Sequence, residues 1–333
     1  MEACLIVTYR CNAKCYMCNT WQHPSKKEDE YGPQLVRKLP GGLGFINITG
    51  GEPFLRQDLE DIVEEALKKT KRLVISSNGY FTDKTVKLFE RFGNRVGIRV
   101  SIEGLPAAND ELRGIKNGFD HGLRTLTTLH GMGIKDIGFG MTVSDRNADD
   151  MIELYNLANA MNLEFATATT HNSFYFHTQE NRYEDSEKVA GIFEKIAIEM
   201  LKTNKPKNWF RAYFNMGLAR KARGLKRALP CEVGTDMFFV DPGGNVMPCN
   251  GSNAPMIMGN LHEHNFDTIW NSQRAEEVRK QVKGCAQQCW MIGSAAPAMR
   301  KRIIVPLKWV LNNKFKLLRK TKLFQPDSIG EDL

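Results

Sequence analysis

The chain has 333 residues, 42% of them hydrophobic and 25% charged, a balance that fits two or three folded domains and excludes disorder over most of the length. The sequence offers no run near the roughly 18 apolar residues of a spanning helix and no export signal at its amino terminus, so it reads as cytoplasmic. Lysine and arginine exceed aspartate and glutamate by eight, but residues 299–324 hold nine basic side chains and no acidic one, so the excess sits in one segment and no nucleic-acid partner is expected.

Short β-like runs at 4–8, 45–49, 73–77, 97–102, 137–143 and 163–169 alternate with helical periodicity. Leu59, Ile62, Val63, Ala66 and Leu67 share one helical face, and Met151, Leu154, Leu157, Ala158 and Met161 share another. Six βα units predict α/β architecture: a partial (β/α)6 barrel, an incomplete TIM barrel, over residues 1–185. Chemistry is then expected at the carboxyl ends of its strands.

Residues 186–229 are helical and charged, with Val189, Ile192, Phe193, Ile196 and Met200 at core spacing, and are expected to form a linker or substrate wall. Residues 230–293 combine Met237-Phe238-Phe239-Val240, the turn Asp241-Pro242-Gly243-Gly244 and a helical stretch near 266–282, which predicts a small α+β domain. Residues 294–333 form a basic tail that places Leu307, Val310, Leu311, Lys314, Phe315 and Leu318 near one helical face, flanked by cations. Such a helix suits the surface of an anionic membrane, an acidic partner, or docking on the body with its lysines outward.

Eight cysteines in a chain of this class point to metal or redox chemistry, because cytosolic thiols stay reduced. In Cys11-Asn12-Ala13-Lys14-Cys15-Tyr16-Met17-Cys18 three thiols follow directly on the first strand. Three thiolates are one short for a four-iron cube, so a cluster here keeps one iron open; zinc completed by a remote residue such as His23 is the alternative. Cys231, Cys249, Cys285 and Cys289 form a second group that could fill a cube or hold structural zinc, while Cys4 reads as a buried thiol.

Together with Thr49-Gly50-Gly51-Glu52-Pro53 after the second strand, the first group resembles the radical S-adenosylmethionine (SAM) superfamily. The resemblance implies that Cys11, Cys15 and Cys18 hold a [4Fe–4S] cluster, with SAM on its open iron. Gly50, Gly51, Glu52 and Pro53 would then hold the methionine ammonium of the cofactor, and Tyr16 or Met17 its adenine. Further positions match at strand ends: Ser76 and Asn78 after the third strand, Ser101 and Glu103 on the fourth for ribose and methionine, Arg113 near the methionine carboxylate, and Met141 and Val143 on the fifth near adenine. Each has an ordinary structural alternative as a turn residue or a surface ion pair.

The second cysteine group, with Gly244 and the segments Gly259-Asn260-Leu261 and Ile269-Trp270, resembles the SPASM domains in their shortened twitch form. That implies one auxiliary [4Fe–4S] cluster passing electrons to or from a substrate radical. A reductant such as flavodoxin or ferredoxin is implied as partner. His171, Tyr175 and His177, in the loop after the sixth strand, are candidates for substrate binding or proton removal; an aromatic cluster packing on the second domain is the alternative. The expected reaction is functionalisation of a carbon–hydrogen bond by oxidation, epimerisation or cross-linking, on a sugar, polyol or carrier-linked small molecule, with a ribosomal peptide as the rival substrate. A non-catalytic iron–sulfur carrier or zinc-stabilised module is the rival of another class.

Overall fold

The computed structural model describes residues 1–319, so the end of the expected tail, 320–333, lies outside the described residues. In chain order the main elements are β1 (Glu2–Ile6), α1 (Pro33–Val36), β2 (Phe45–Thr49), α2 (Leu59–Leu67), β3 (Leu73–Ser77), α3 (Thr82–Phe92), β4 (Val96–Ser101), α4 (Pro106–Arg113) and α5 (Gly118–Gly131). There follow β5 (Ile137–Val143), α6 (Met151–Ala160), β6 (Glu164–Thr169), α7 (Ser186–Lys202), α8 (Pro206–Ala222), β7 (Met237–Val240), β8 (Asn245–Met247) and β9 (Gly259–Asn260). The chain continues through α9 (Phe266–Trp270), α10 (Gln273–Lys283), α11 (Ile292–Lys301) and α12 (Ile304–Leu318).

One sheet runs in the order β6-β5-β4-β3-β2-β1-β7-β8-β9. Strands β1 to β6 pair as parallel neighbours in sequence order, which is the partial barrel expected from six βα units. Alternate side chains face opposite sides of a strand. Ala3, Leu5, Ile46, Ile48, Leu73, Ile75, Val96, Ile98, Val100, Ile137, Phe139, Met141 and Val143 therefore point into one core with the helices. Asn47, Ser76, Arg99, Ser101 and Thr142 occupy the intervening, less buried positions of the inner face.

The sheet does not stop where residues 230–293 begin. β7 pairs in parallel with β1, Glu2 opposite Met237 and Leu5 opposite Val240, and only β8 and β9 turn antiparallel. Pairing on that side covers an edge of β1 that would otherwise expose a row of unpaired amides and carbonyls. Cys4 lies inside β1, buried beneath β7, and burial pushes its thiol up to about 12, as suits an inert core cysteine. Among the described residues no helix is long and apolar enough to cross a membrane.

Candidate active site

The loop carrying Cys11, Cys15 and Cys18 is pinned between two strand ends and a helix end. Lys14 N donates to Arg113 O and Tyr16 N to Leu112 O, both at 3.0 Å, so the loop rests on the carboxyl end of α4. That helix stops at Gly114 with φ 56°, where a Cβ would meet Lys14 O at 2.6 Å; only glycine allows the approach. Burial pushes the Cys11 thiol up to about 12 and Cys15 up to about 11, while the guanidinium of Arg113 draws all three thiols down. Immediately upstream, Arg10 grips Glu30 through Nε and Nη2 at 2.9 and 2.7 Å.

The turn after β2 lies against the same loop. Gly51 N donates to Thr8 O at 2.8 Å and Glu52 N to Arg10 O at 2.9 Å. A Cβ at Gly50 or Gly51 would fall 2.4 Å from Thr8 O or 2.3 Å from Arg10 O, so the glycines are required by chain packing on the cysteine loop. Pro53 and the fully buried Glu52 follow. The Glu52 carboxylate accepts from Phe54 N, Ser77 Oγ and Asn78 N, which leaves one of its roughly four acceptor positions. Asn78 also donates from Nδ2 to Asn12 Oδ1 at 2.8 Å, joining the third strand end to the cysteine loop. Ser76 instead pairs with Asn47 on the inner face.

At the fourth strand end, Glu103 is buried and bound from two sides, by Arg113 Nη1 at 3.0 Å and Thr142 N at 2.6 Å. Asn109 and Asn147 hold the backbone of Glu103 at its amide and its carbonyl. Ser101 makes no side-chain hydrogen bond among the described residues. Met141 and Val143 do not reach the inner face, because strand alternation turns both side chains into the core, at 1% and 0% exposure; Thr142 is the side chain of that strand end facing inward. Met17 is buried, while Tyr16 lies under the Arg146 guanidinium, 4.7 Å from its ring.

The loop after β6 joins the two cysteine groups. Asn19 N donates to Phe176 O at 2.8 Å and Thr20 Oγ1 to Tyr175 O at 2.9 Å, just after Cys18. Phe174 N donates to Ser252 O at 2.9 Å, just after Cys249. Tyr175 is buried, its phenol donating to Gly50 O at 2.8 Å, and burial raises it far above the range in which a phenol serves as base. His171 is pushed down to about 4 by burial and by Lys221, so it is neutral, and its Nε2 is shielded without a partner. His177 stands apart from both: it is exposed and stacks on His23 with ring centroids 4.1 Å apart. His23 is thus a ring partner in this structure.

Cys231, Cys249, Cys285 and Cys289 converge beyond β7. Burial pushes the Cys289 thiol up to about 11, and the other three thiols of the group are close enough to raise it further. Trp290 anchors the closing pair: its Nε1 donates to Phe214 O at 2.9 Å, and Gly217 of α8 leaves the space its ring fills. Arg227 Nη1 caps Cys289 O at 2.7 Å. Glu232, beside Cys231, is held by Lys301, the last residue of α11, and by Arg302 just after it. Among the described residues no three histidine, cysteine or acidic side chains form a group that would hold a single metal ion.

The first loop and the residues packed on it have the donor set for an iron–sulfur cluster and an amino-acid ligand carrying a carboxylate and an ammonium: three thiols, the buried Arg113 whose Nε has no partner, and the Glu52 carboxylate with acceptor capacity left. The residues present therefore fit. Asn12, Arg10, Glu30 and Thr20 carried no motif signal; only their contacts with the loop single them out.

Residues 5–158 match the family model of the radical SAM superfamily, and residues 231–290 match that of an iron–sulfur cluster-binding domain, SPASM. The chain is 35% identical over 158 residues to Fe-coproporphyrin III synthase of Methanosarcina barkeri, a match covering 45% of this chain and 39% of that protein. It is 25% identical over 288 residues to the sporulation killing factor maturation protein SkfB of Bacillus subtilis, covering 84% of this chain and 67% of that one. Its fold is similar to that of anSMEcpe with bound AdoMet, with a TM-score of 0.63 at 14% identity over 94% of this chain and 99% of the other. The cofactors of such an enzyme are SAM, a [4Fe–4S] cluster and an auxiliary iron–sulfur cluster. Residues 5–158 thus belong to the radical SAM superfamily, and residues 231–290 form a SPASM-type iron–sulfur cluster-binding domain.

Proposed function

We propose that this enzyme functionalises a carbon–hydrogen bond of a small or carrier-linked polar molecule at the carboxyl ends of β1 to β6. When bound, the cluster and SAM supply one-electron reductive cleavage and a 5′-deoxyadenosyl radical. Cys11, Cys15 and Cys18 hold the cluster in this reading, and Cys231, Cys249, Cys285 and Cys289 hold the auxiliary one. Arg113, fixed by Glu103, offers its unpartnered Nε to a carboxylate, and Glu52 offers its remaining acceptor position to an ammonium. Tyr175 orients Gly50 and, buried beside Cys18 and Cys11, keeps water from that side of the cysteine loop. Ser101 and Thr142 face the substrate space. The observation that carries this reading is the docking of the cysteine loop on both the Gly50-Gly51-Glu52 turn and the end of α4.

Peptide maturation is the second reading, favoured by the SkfB match over 84% of this chain. Anaerobic incubation with deuterated small metabolites and, separately, with deuterated peptides tests both. Label appearing in 5′-deoxyadenosine identifies the substrate class, and no reductant-dependent 5′-deoxyadenosine from cluster-loaded enzyme would overturn the proposal.

A further inference from the structure

Helix α12 turns its apolar stripe away from the body. It packs on α7 and α8 through Pro306, Val310 and Asn313, all buried. Trp309 meets Tyr213 edge-on at 5.6 Å, and the Lys314 ammonium sits 3.9 Å from the centre of the Trp209 ring while donating to Leu201 O and Thr203 O. The expected apolar face is therefore split, with Val310 and Lys314 against the body. Ile303, Ile304, Leu307, Leu311, Phe315 and Leu318 are all exposed, from 43% to 82%, and make up six of the ten exposed large hydrophobic residues in the described chain. At 100° per residue these six fall within an arc of about 120°.

Charge identifies what covers the stripe. Lys308 and Arg319 border it, and no acidic residue occurs between 299 and 324, whereas Arg300, Lys301 and Arg302 pair with Glu2, Glu232 and Asp236 of the body. A second copy seated on the same face would bring these bordering cations against one another with no acidic side chain in the helix to pair with them, which opposes self-association. An apolar helical stripe bordered by cations has the chemistry to lie in the plane of an anionic lipid interface. We infer that α12 docks the protein on an anionic bilayer surface, with Ile304, Leu307, Leu311, Phe315 and Leu318 entering the interface and the bordering cations meeting lipid headgroups. The inference is independent of the substrate assignment above.

Flotation of the cluster-loaded full chain with vesicles tests it, comparing pure phosphatidylcholine with phosphatidylcholine containing about a third phosphatidylglycerol. The expected result is flotation with the anionic vesicles only, weakening as salt is raised. The double substitution Leu311→Asp and Phe315→Asp lowers partitioning by about tenfold or more, and Lys308→Glu by about fivefold or more. Both variants keep wild-type far-ultraviolet dichroism and SAM cleavage, since none of these residues touches either cysteine loop. Three results would overturn the inference: no flotation with anionic vesicles, equal flotation of the double variant, or a lipid-free dimer in sedimentation that the double variant dissolves.

Discussion

The phenol of Tyr175 donates to the carbonyl of Gly50 at 2.8 Å, linking the loop after β6 to the turn after β2. Tyr175→Phe removes the donor and leaves a shielded carbonyl without its partner, at a cost of about 1–3 kcal/mol. The expected outcome is weaker SAM binding, by about tenfold, with iron content unchanged. Equilibrium dialysis with SAM beside iron analysis checks it; a variant that loses stability yet binds SAM as tightly as wild type would contradict the linkage.

Arg113 and Glu103 form a buried pair at 3.0 Å. Removing one partner strands the other, so Arg113→Gln or Glu103→Gln alone destabilises by about 3–5 kcal/mol. The double substitution relieves much of that loss but does not restore reductive SAM cleavage, because the guanidinium is still missing. Urea midpoints and 5′-deoxyadenosine yield separate the two effects, and recovery of cleavage in the double variant would exclude a role for Arg113 beyond structure.

His171 titrates near 4 in the fold against an ordinary 6.5, because burial and Lys221 disfavour its cation. Between these values the unfolded chain takes up a proton that the folded chain refuses. Stability is therefore unaffected by this group above pH 6.5 and falls as the pH drops from 6.5 toward 4, by about 2 kcal/mol at pH 5. His171→Gln flattens that part of the profile. Unfolding in urea at pH 7.5 and pH 5 measures the slope, and an unchanged slope in the variant would assign it to other groups.

The two cysteine groups are expected to fail differently. Cys18→Ala abolishes SAM cleavage, whereas Cys289→Ala keeps some uncoupled cleavage while product is lost, each variant losing about half the iron. Iron analysis with separate assays of 5′-deoxyadenosine and product checks this. Complete loss of cleavage in a Cys289→Ala protein with its first cluster intact would contradict separate roles.

Local chemistry made much of this protein readable along the chain. Six apolar runs with helical periodicity between them predict the parallel sheet, since periods of 2 and 3.6 are properties of neighbouring residues. The spacing of Cys11, Cys15 and Cys18, followed by Gly50-Gly51-Glu52-Pro53, points to the cofactor, because a cluster and its ligand constrain donors within single loops.

Long-range packing decided the rest. The bonds of Tyr175 with Gly50, Asn12 with Asn78 and Thr142 with Glu103 join residues from different strand ends, and no periodicity records which ends meet. Strand alternation at β5, rather than residue type, turned Met141 and Val143 into the core and left Thr142 on the inner face. Likewise α12 could be read as amphipathic from its sequence, yet only its docking through Pro306, Val310 and Asn313 determined that Leu307, Leu311 and Phe315 face outward. Sequence pattern sets which side chains share a face; the shape of the neighbouring surface selects which face is buried.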